Sequence, residues 1–283
     1  MGSASSIELG LFLRARRVQV NPQDAGITVG PGMRRTPGLR REELAARAGV
    51  SVDYYTRLER GREHRPSPAV VDALAAALDL DDAEHDHLIG LAARAASLTP
   101  PRRSALDQKP SSGTEMLLER LRPYPARLLS RTMDLLACNP GGIRTLPGIE
   151  DWPAERHNIA RYLFLHPAGR DLFPDHDAVV SGCVARLRAL AGTEPDAPDL
   201  TALVEELLAS SKDFARLWER YDVRPYTRTT KTMNHPAVGT FTLSFQVMQI
   251  DGTPGHCLVT YYAEPGTPDH DAIVRLDRAG LDR

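Results

Sequence analysis

At 283 residues the chain has room for two domains of ordinary size, each able to bury a core. Its 35 basic and 37 acidic side chains leave a formal charge of −2, which excludes general coating of a polyanion, so any affinity for nucleic acid must be local. Three widely spaced cysteines (Cys138, Cys183, Cys257) without a CxxC pair indicate neither a disulfide framework nor a zinc cage, and a reducing cytoplasm is the simplest compartment. No apolar run approaches the length of a membrane span, Met1–Ser6 reads as a short polar tail rather than a signal peptide, and nothing repeats internally.

The first predicted helix, Ile7 to Val20, carries Leu9, Phe12, Leu13 and Val20 on one side and Arg14, Arg16 and Arg17 on the other. A Gly- and Pro-containing loop follows, and its Arg34 and Arg35 are expected on a phosphate backbone or in a minor groove. From Arg40 to Gly61 the sequence predicts two short helices joined by a tight turn. Leu44, Ala45 and Ala48 give the first an apolar face, and Gly49 ends it because a residue without Cβ takes the left-handed cap cheaply. Ser51 is placed to N-cap the second, whose Tyr55 and Leu58 continue the buried stripe. Arg14 to Arg65 holds twelve arginines, no lysine and six acids, a concentration of positive charge that a phosphate-facing surface requires. Two more helices follow, one opened by Ser67 or Pro68, the other N-capped by Asp81. On the latter, His85 and His87 fall on different faces and read as surface residues.

Ser97 to Gly113 has the composition of a linker. Beyond it the texture changes: a helix at Thr114–Arg122, two short strands within Pro125–Cys138, and helices at Asn158–His166, Asp175–Leu190, Leu200–Ser210 and Asp213–Tyr221. Three strand candidates close the chain, roughly Asp222–Met233, Val238–Gln249 and Gly255–Ala263. In the middle one Phe241, Leu243, Phe245, Val247 and Gln249 share a face, and Asp251-Gly252 suits a hairpin turn. Strands, helices and then three antiparallel strands is the order of a PAS-like sensor domain.

The small-residue, glycine, N-cap, apolar order of Arg40–Gly61 resembles the helix-turn-helix of λ-repressor/Cro-like regulators, whose second helix lies in the major groove of DNA. More broadly, "RRTPGLRREELAARAGVSVDYYTRLERGRE", "PSPAVVDALAAAL" and "HLIGLA", followed by "LLACNP", "NIARYLFLHPAGRDLF", "FARLWERYDVRP", "KTMNHPAVGTFTLSFQVM" and "YYAEPGTP", resemble the MmyB-like bacterial transcriptional regulators along nearly the whole chain. His157-Asn158 departs from the Arg-Asn expected there. The resemblance implies a multidomain protein. An N-terminal all-α, λ-repressor-like DNA-binding domain (7–97) and a linker (98–113) would precede a C-terminal α+β, PAS-like domain with an antiparallel sheet (114–283). It also implies a ligand of fatty-acid-like class.

The expected function is therefore that of a cytoplasmic, ligand-responsive regulator binding a double-stranded DNA operator as a homodimer, with no membrane partner. Ser51, Val52, Asp53, Thr56 and Arg57 are expected at the groove, opposite the buried Tyr55 and Leu58, with Arg40, Arg41, Arg60 and Arg62 near phosphates. Glu59 is expected to pair with a neighbouring arginine. In the second domain a small apolar ligand is expected against Phe241, Leu243 and Phe245, covered by a helix bearing Val180 and Val184. Arg161, or less suitably His235, would meet an acid group. A protein partner in place of the small molecule is the alternative. No hydrolase, zinc-protease or phosphate-loop motif occurs, so no catalytic residue, metal or cofactor is expected.

Overall fold

The computed structural model describes residues 4–27, 38–63, 65–96, 109–222 and 229–279. The chain divides into two units. Unit 1 comprises Met1–Pro101, Val184–Val204 and Ala215–Pro225; unit 2 comprises Arg102–Cys183, Glu205–Phe214 and Tyr226–Arg283.

Unit 1 is built on five helices: α1 (Ala4–Gln19), α2 (Arg41–Arg47), α3 (Val52–Glu59), α4 (Pro68–Ala77) and α5 (Asp82–Ala96). Their starts and stops follow local chemistry. Gly49, at φ 65°, ends α2, and the Ser51 hydroxyl accepts from Tyr54 N at 3.1 Å to open α3. Ser67 caps α4, with Pro68 at its first position. Asp81 and Glu84 cap α5 reciprocally, each carboxylate accepting the other's backbone N–H. Leu9, Phe12, Leu13, Leu44, Tyr55 and Leu58 fill the core. Gly10 is required where α1 crosses α3, because a Cβ there would stand 2.4 Å from the Glu59 carbonyl oxygen.

Val184–Val204 and Ala215–Pro225 also belong to unit 1, and Tyr221 joins this core. They include parts of α10 (His176–Thr193), α11 (Pro198–Ser210) and α12 (Lys212–Glu219). The expectation that His87 is a surface residue is corrected here. Its ring meets Phe12 edge-on at 5.2 Å and lies 6.2 Å from Tyr221, and burial beside Arg94, Arg16 and Arg188 pushes its pKa down to about 4.

Unit 2 begins with α6 (Ser112–Arg120) and strands β1 (Ala126–Leu129) and β2 (Leu135–Cys138). Short helices follow: α7 (Pro140–Arg144), α8 (Ile159–Leu165) and α9 (Pro167–Leu172), with two 3-10 turns between α7 and α8. Strands β3 (Thr230–His235), β4 (Gly239–Gln249) and β5 (Cys257–Tyr262) and helix α13 (Pro268–Arg278) complete it. The sheet is antiparallel throughout, in the order β2-β1-β5-β4-β3. On one face Ala126, Leu128 and Leu258 meet Leu118 of α6. On the other, Phe241 and Leu243 are buried. Burial fades along that face of β4: Phe245 is half-buried and Val247 exposed. The first strand candidate began at Asp222, whereas β3 starts at Thr230 and residues 223–228 lie outside the described ones. α13, which the sequence reading did not anticipate, packs against β4 and α7.

Candidate nucleic-acid interface and ligand site

The turn between α2 and α3 leaves one side of α3 in solvent. Tyr55 and Leu58 are wholly buried, whereas Val52 is 45 % exposed and the side chains of Asp53 and Arg57 are 80 % and 45 % exposed. Arg57 is not idle: it donates to Asp53 at 2.5 Å, one helical turn back, stands 3.7 Å from Glu63, and lies 5.7 Å over the Tyr54 ring. Thr56 is half-buried, and its hydroxyl donates to the Val52 carbonyl at 2.7 Å. Arg40, Arg60 and Arg62 are exposed on the same stretch of chain, while Arg34 and Arg35 lie outside the described residues.

Beneath this surface Glu59 is clamped. Arg17 donates to it through Nε at 2.9 Å and Nη2 at 3.2 Å, and Arg41 through Nε at 3.1 Å and Nη2 at 2.6 Å. Arg17 also donates to the Leu39 carbonyl at 2.6 Å. Burial alone would raise the Glu59 pKa, but these two arginines outweigh it and hold the carboxyl below its ordinary value. The arrangement joins α1, α2 and α3, and Arg41 reaches the surface with its charge already oriented.

In unit 2, Arg161 on α8 donates to Glu206 at 2.8 Å and lies 3.7 Å from Asp134. Asn158 caps the same helix, accepting from Arg161 N while donating to the Thr132 carbonyl and to Asp134. His235 uses both ring nitrogens: Nε2 donates to the Arg144 carbonyl at 2.8 Å and Nδ1 accepts from Ala237 N at 3.2 Å. Burial lowers its pKa despite that carbonyl, so the ring is held neutral. It borders a cavity of about 400 Å³, lined also by Pro147, Ala168, Leu172, Asn234 and Thr240.

Phe241 and Leu243 face the Met233 and Lys231 positions of β3. Phe245 lies 5.9 Å from the Tyr261 ring and 5.0 Å from the Lys231 ammonium, and Arg127 lies 5.1 Å from Tyr261. Burial would raise the Tyr261 pKa, but Lys231 and Arg127 outweigh it and lower it. Sequence reasoning missed this pair of cations; the alternation Lys231, Met233, His235 on one face of β3 was the signal available. Val180 and Val184 are buried on α10, in units 2 and 1 respectively. Among the described residues no three His, Cys, Asp or Glu side chains are grouped for a metal, and no helix is long and apolar enough to cross a membrane.

A family model described as a helix-turn-helix domain matches residues 8–88. A second, described as the MmyB-like transcription regulator ligand binding domain, matches residues 110–276, more than half of the chain. The chain belongs to the MmyB-like transcription regulators. No curated protein matches it. As an MmyB-like regulator it is a DNA-binding protein with a ligand-binding domain, and both matched families are transcription-regulator domains rather than enzymes.

Proposed function

We propose that this MmyB-like regulator is a cytoplasmic homodimer that reads a double-stranded operator through α3 and changes its affinity when a small, apolar, fatty-acid-like molecule occupies unit 2. The observation that carries the reading is the solvent face of α3, fixed from beneath by the Arg17–Glu59–Arg41 clamp. Arg57, on leaving Asp53, is suited to the O6 and N7 of a guanine, and Val52 to a thymine methyl. Arg34, Arg35, Arg40, Arg41, Arg60 and Arg62 supply phosphate contacts. In a two-fold dimer the two copies of α3 read half-sites about one helical turn apart.

For the ligand, the sheet order and the partly uncovered Phe245 and Val247 support a PAS-like site on the face that buries Phe241 and Leu243. An acid group reaches Arg161 only by displacing Glu206, so apolar contact supplies the main part of the affinity. Two measurements test the reading. Selection from a random DNA pool should return one enriched half-site, and organic extracts of the purified protein should contain an amphiphile. If neither added amphiphiles nor delipidation alters melting temperature or DNA affinity, a protein partner replaces the small molecule.

A further inference from the structure

The stretches Val184–Val204 and Ala215–Pro225 fall inside the region matched by the ligand-binding family, yet they belong to unit 1. Polar contacts hold them there. The buried Tyr221 is the hub: its hydroxyl donates to Glu8 Oε2 at 2.5 Å, its carbonyl accepts from Arg16, and its ring meets Phe12 edge-on at 5.6 Å. Arg188 lies 4.2 Å over the Tyr221 ring and 3.7 Å over that of Trp218, donates twice to the Trp218 carbonyl, and stands 3.8 Å from Glu8. Two more donors tie the backbone, Gln19 to the Arg220 carbonyl at 2.7 Å and Arg94 to that of Gly192 at 2.6 Å.

Two features set this contact apart from ordinary core packing. Burying Arg188 and Arg16, with Glu8 half-buried beside them, costs desolvation that apolar side chains of similar size would not incur. Tyr221 also sits at φ 51°, a left-handed conformation that a residue with a Cβ keeps only while its surroundings impose it. Such a contact is held by geometry and is lost as a whole when the geometry changes. Arg16, one of its residues on α1, adjoins Arg17, whose pair with Glu59 fixes α3. The helix carrying Arg188 is continuous from His176, in unit 2.

We infer that the Tyr221–Glu8–Arg188 contact is a latch through which residues 184–204 and 215–222 set the operator affinity of α3. Resting on the function proposed above, the inference adds that the ligand acts on DNA binding through this contact. Tyr221 and Glu8 are positioning residues, remote from the base-reading side chains.

The test uses the full chain, Tyr221→Phe, and the pair Tyr221→Phe with Glu8→Leu. The single variant keeps the ring and removes the hydroxyl that Glu8 needs. The double variant leaves no carboxylate without its donor, and Arg188 keeps the Trp218 carbonyl and the two rings, so the melting temperature should recover most of what the single variant loses. Without ligand, both variants should bind the selected operator with a Kd shifted by about fivefold or more, the scale of an allosteric coupling. A purely structural role would instead let melting temperature and operator affinity recover together in the double variant; that result, or parental affinity in both variants, overturns the latch. Dodecanoate then serves as the probe. It should change the operator Kd of the parent and leave that of the double variant unchanged, while raising both melting temperatures. A dodecanoate response of parental size in the double variant overturns the ligand half of the inference. If the variants shift but the parent ignores dodecanoate, the latch stands and the sensing function proposed above is what fails.

Discussion

In unit 1 the buried arginines of α1 are answered by carboxylates, Arg17 by Glu59 and Arg16 by Glu84 at 2.7 Å. In unit 2 the buried Arg127 of β1 is answered by no acid among the described residues: it donates to the Gly142 carbonyl at 2.8 Å and to the Thr145 hydroxyl, and faces the Tyr261 ring. Arg144 likewise donates to the carbonyls of Leu276 and Asp277. A carbonyl keeps accepting at any pH, whereas a carboxylate stops being an ionic partner once protonated. The two sets of arginines should therefore differ in what breaks them: Arg16 and Arg17 by acid and by loss of single carboxylates, Arg127 by loss of its own donors.

The largest expected effect is that of Glu59→Ala. It leaves Arg17 buried without its carboxylate, with the Leu39 carbonyl still accepting from it, frees Arg41, and should cost about 3–5 kcal/mol in denaturant melts followed on the helical signal. Glu59→Gln keeps the shape and should cost less. A loss below about 1 kcal/mol for Glu59→Ala would show that the clamp is solvated and the comparison mistaken.

Acid provides the second break. The His87 pKa falls from 6.5 to about 4 on folding, first through burial and then through Arg94, Arg16 and Arg188. The unfolded chain thus binds the extra proton between these values, so stability is intact above pH 6.5 and falls as pH drops toward 4. That single group accounts for a loss on the order of 3 kcal/mol. Glu59, depressed in the fold, adds to the loss at still lower pH, below its ordinary 4.5. Replacing His87 by Leu should flatten the stability curve between pH 6.5 and 4; an unchanged slope there would remove His87 from the account.

In unit 2, Arg127→Met should cost about 1–3 kcal/mol through the lost bonds to the Gly142 carbonyl, which keeps the Thr145 hydroxyl as its remaining donor, and to Thr145 itself. The loss should be the same at pH 5 and pH 8. A strongly pH-dependent loss would mean that Arg127 answers an ionised group after all.

The same contrast explains what could be read from the sequence. In α1–α5, caps and apolar stripes lie within a few residues of one another, so Gly49, Ser51, Ser67 and Asp81 mark boundaries that the structure repeats. The pair of Glu59 with a neighbouring arginine was also foreseeable, though not that two arginines share it. In unit 2 the helices α7 and α9 have five and six residues, too few to show a stripe. α13 was legible in retrospect: Thr267 N-caps it, Pro268 is its first residue, and Asp269 and Asp271 fill its first turn. What no local pattern could give was the membership of Tyr221 in the core of unit 1, since Glu8 and Tyr221 are 213 positions apart. Likewise Arg161 looked like an available cation because Glu206, its partner, lies 45 positions downstream.

In the proposed function α3 reads bases with Arg57, a side chain that the clamp beneath it does not use. The most direct test of that claim is a titration of the parent and Arg57→Ala on the selected operator and on random DNA, across a range of salt. The account predicts a loss of about 1–3 kcal/mol on the operator for Arg57→Ala, little change on random DNA, and a log–log salt slope that stays as in the parent. Equal losses on both DNAs, with a slope flattened by about 0.9, would make Arg57 a phosphate contact and contradict the claim.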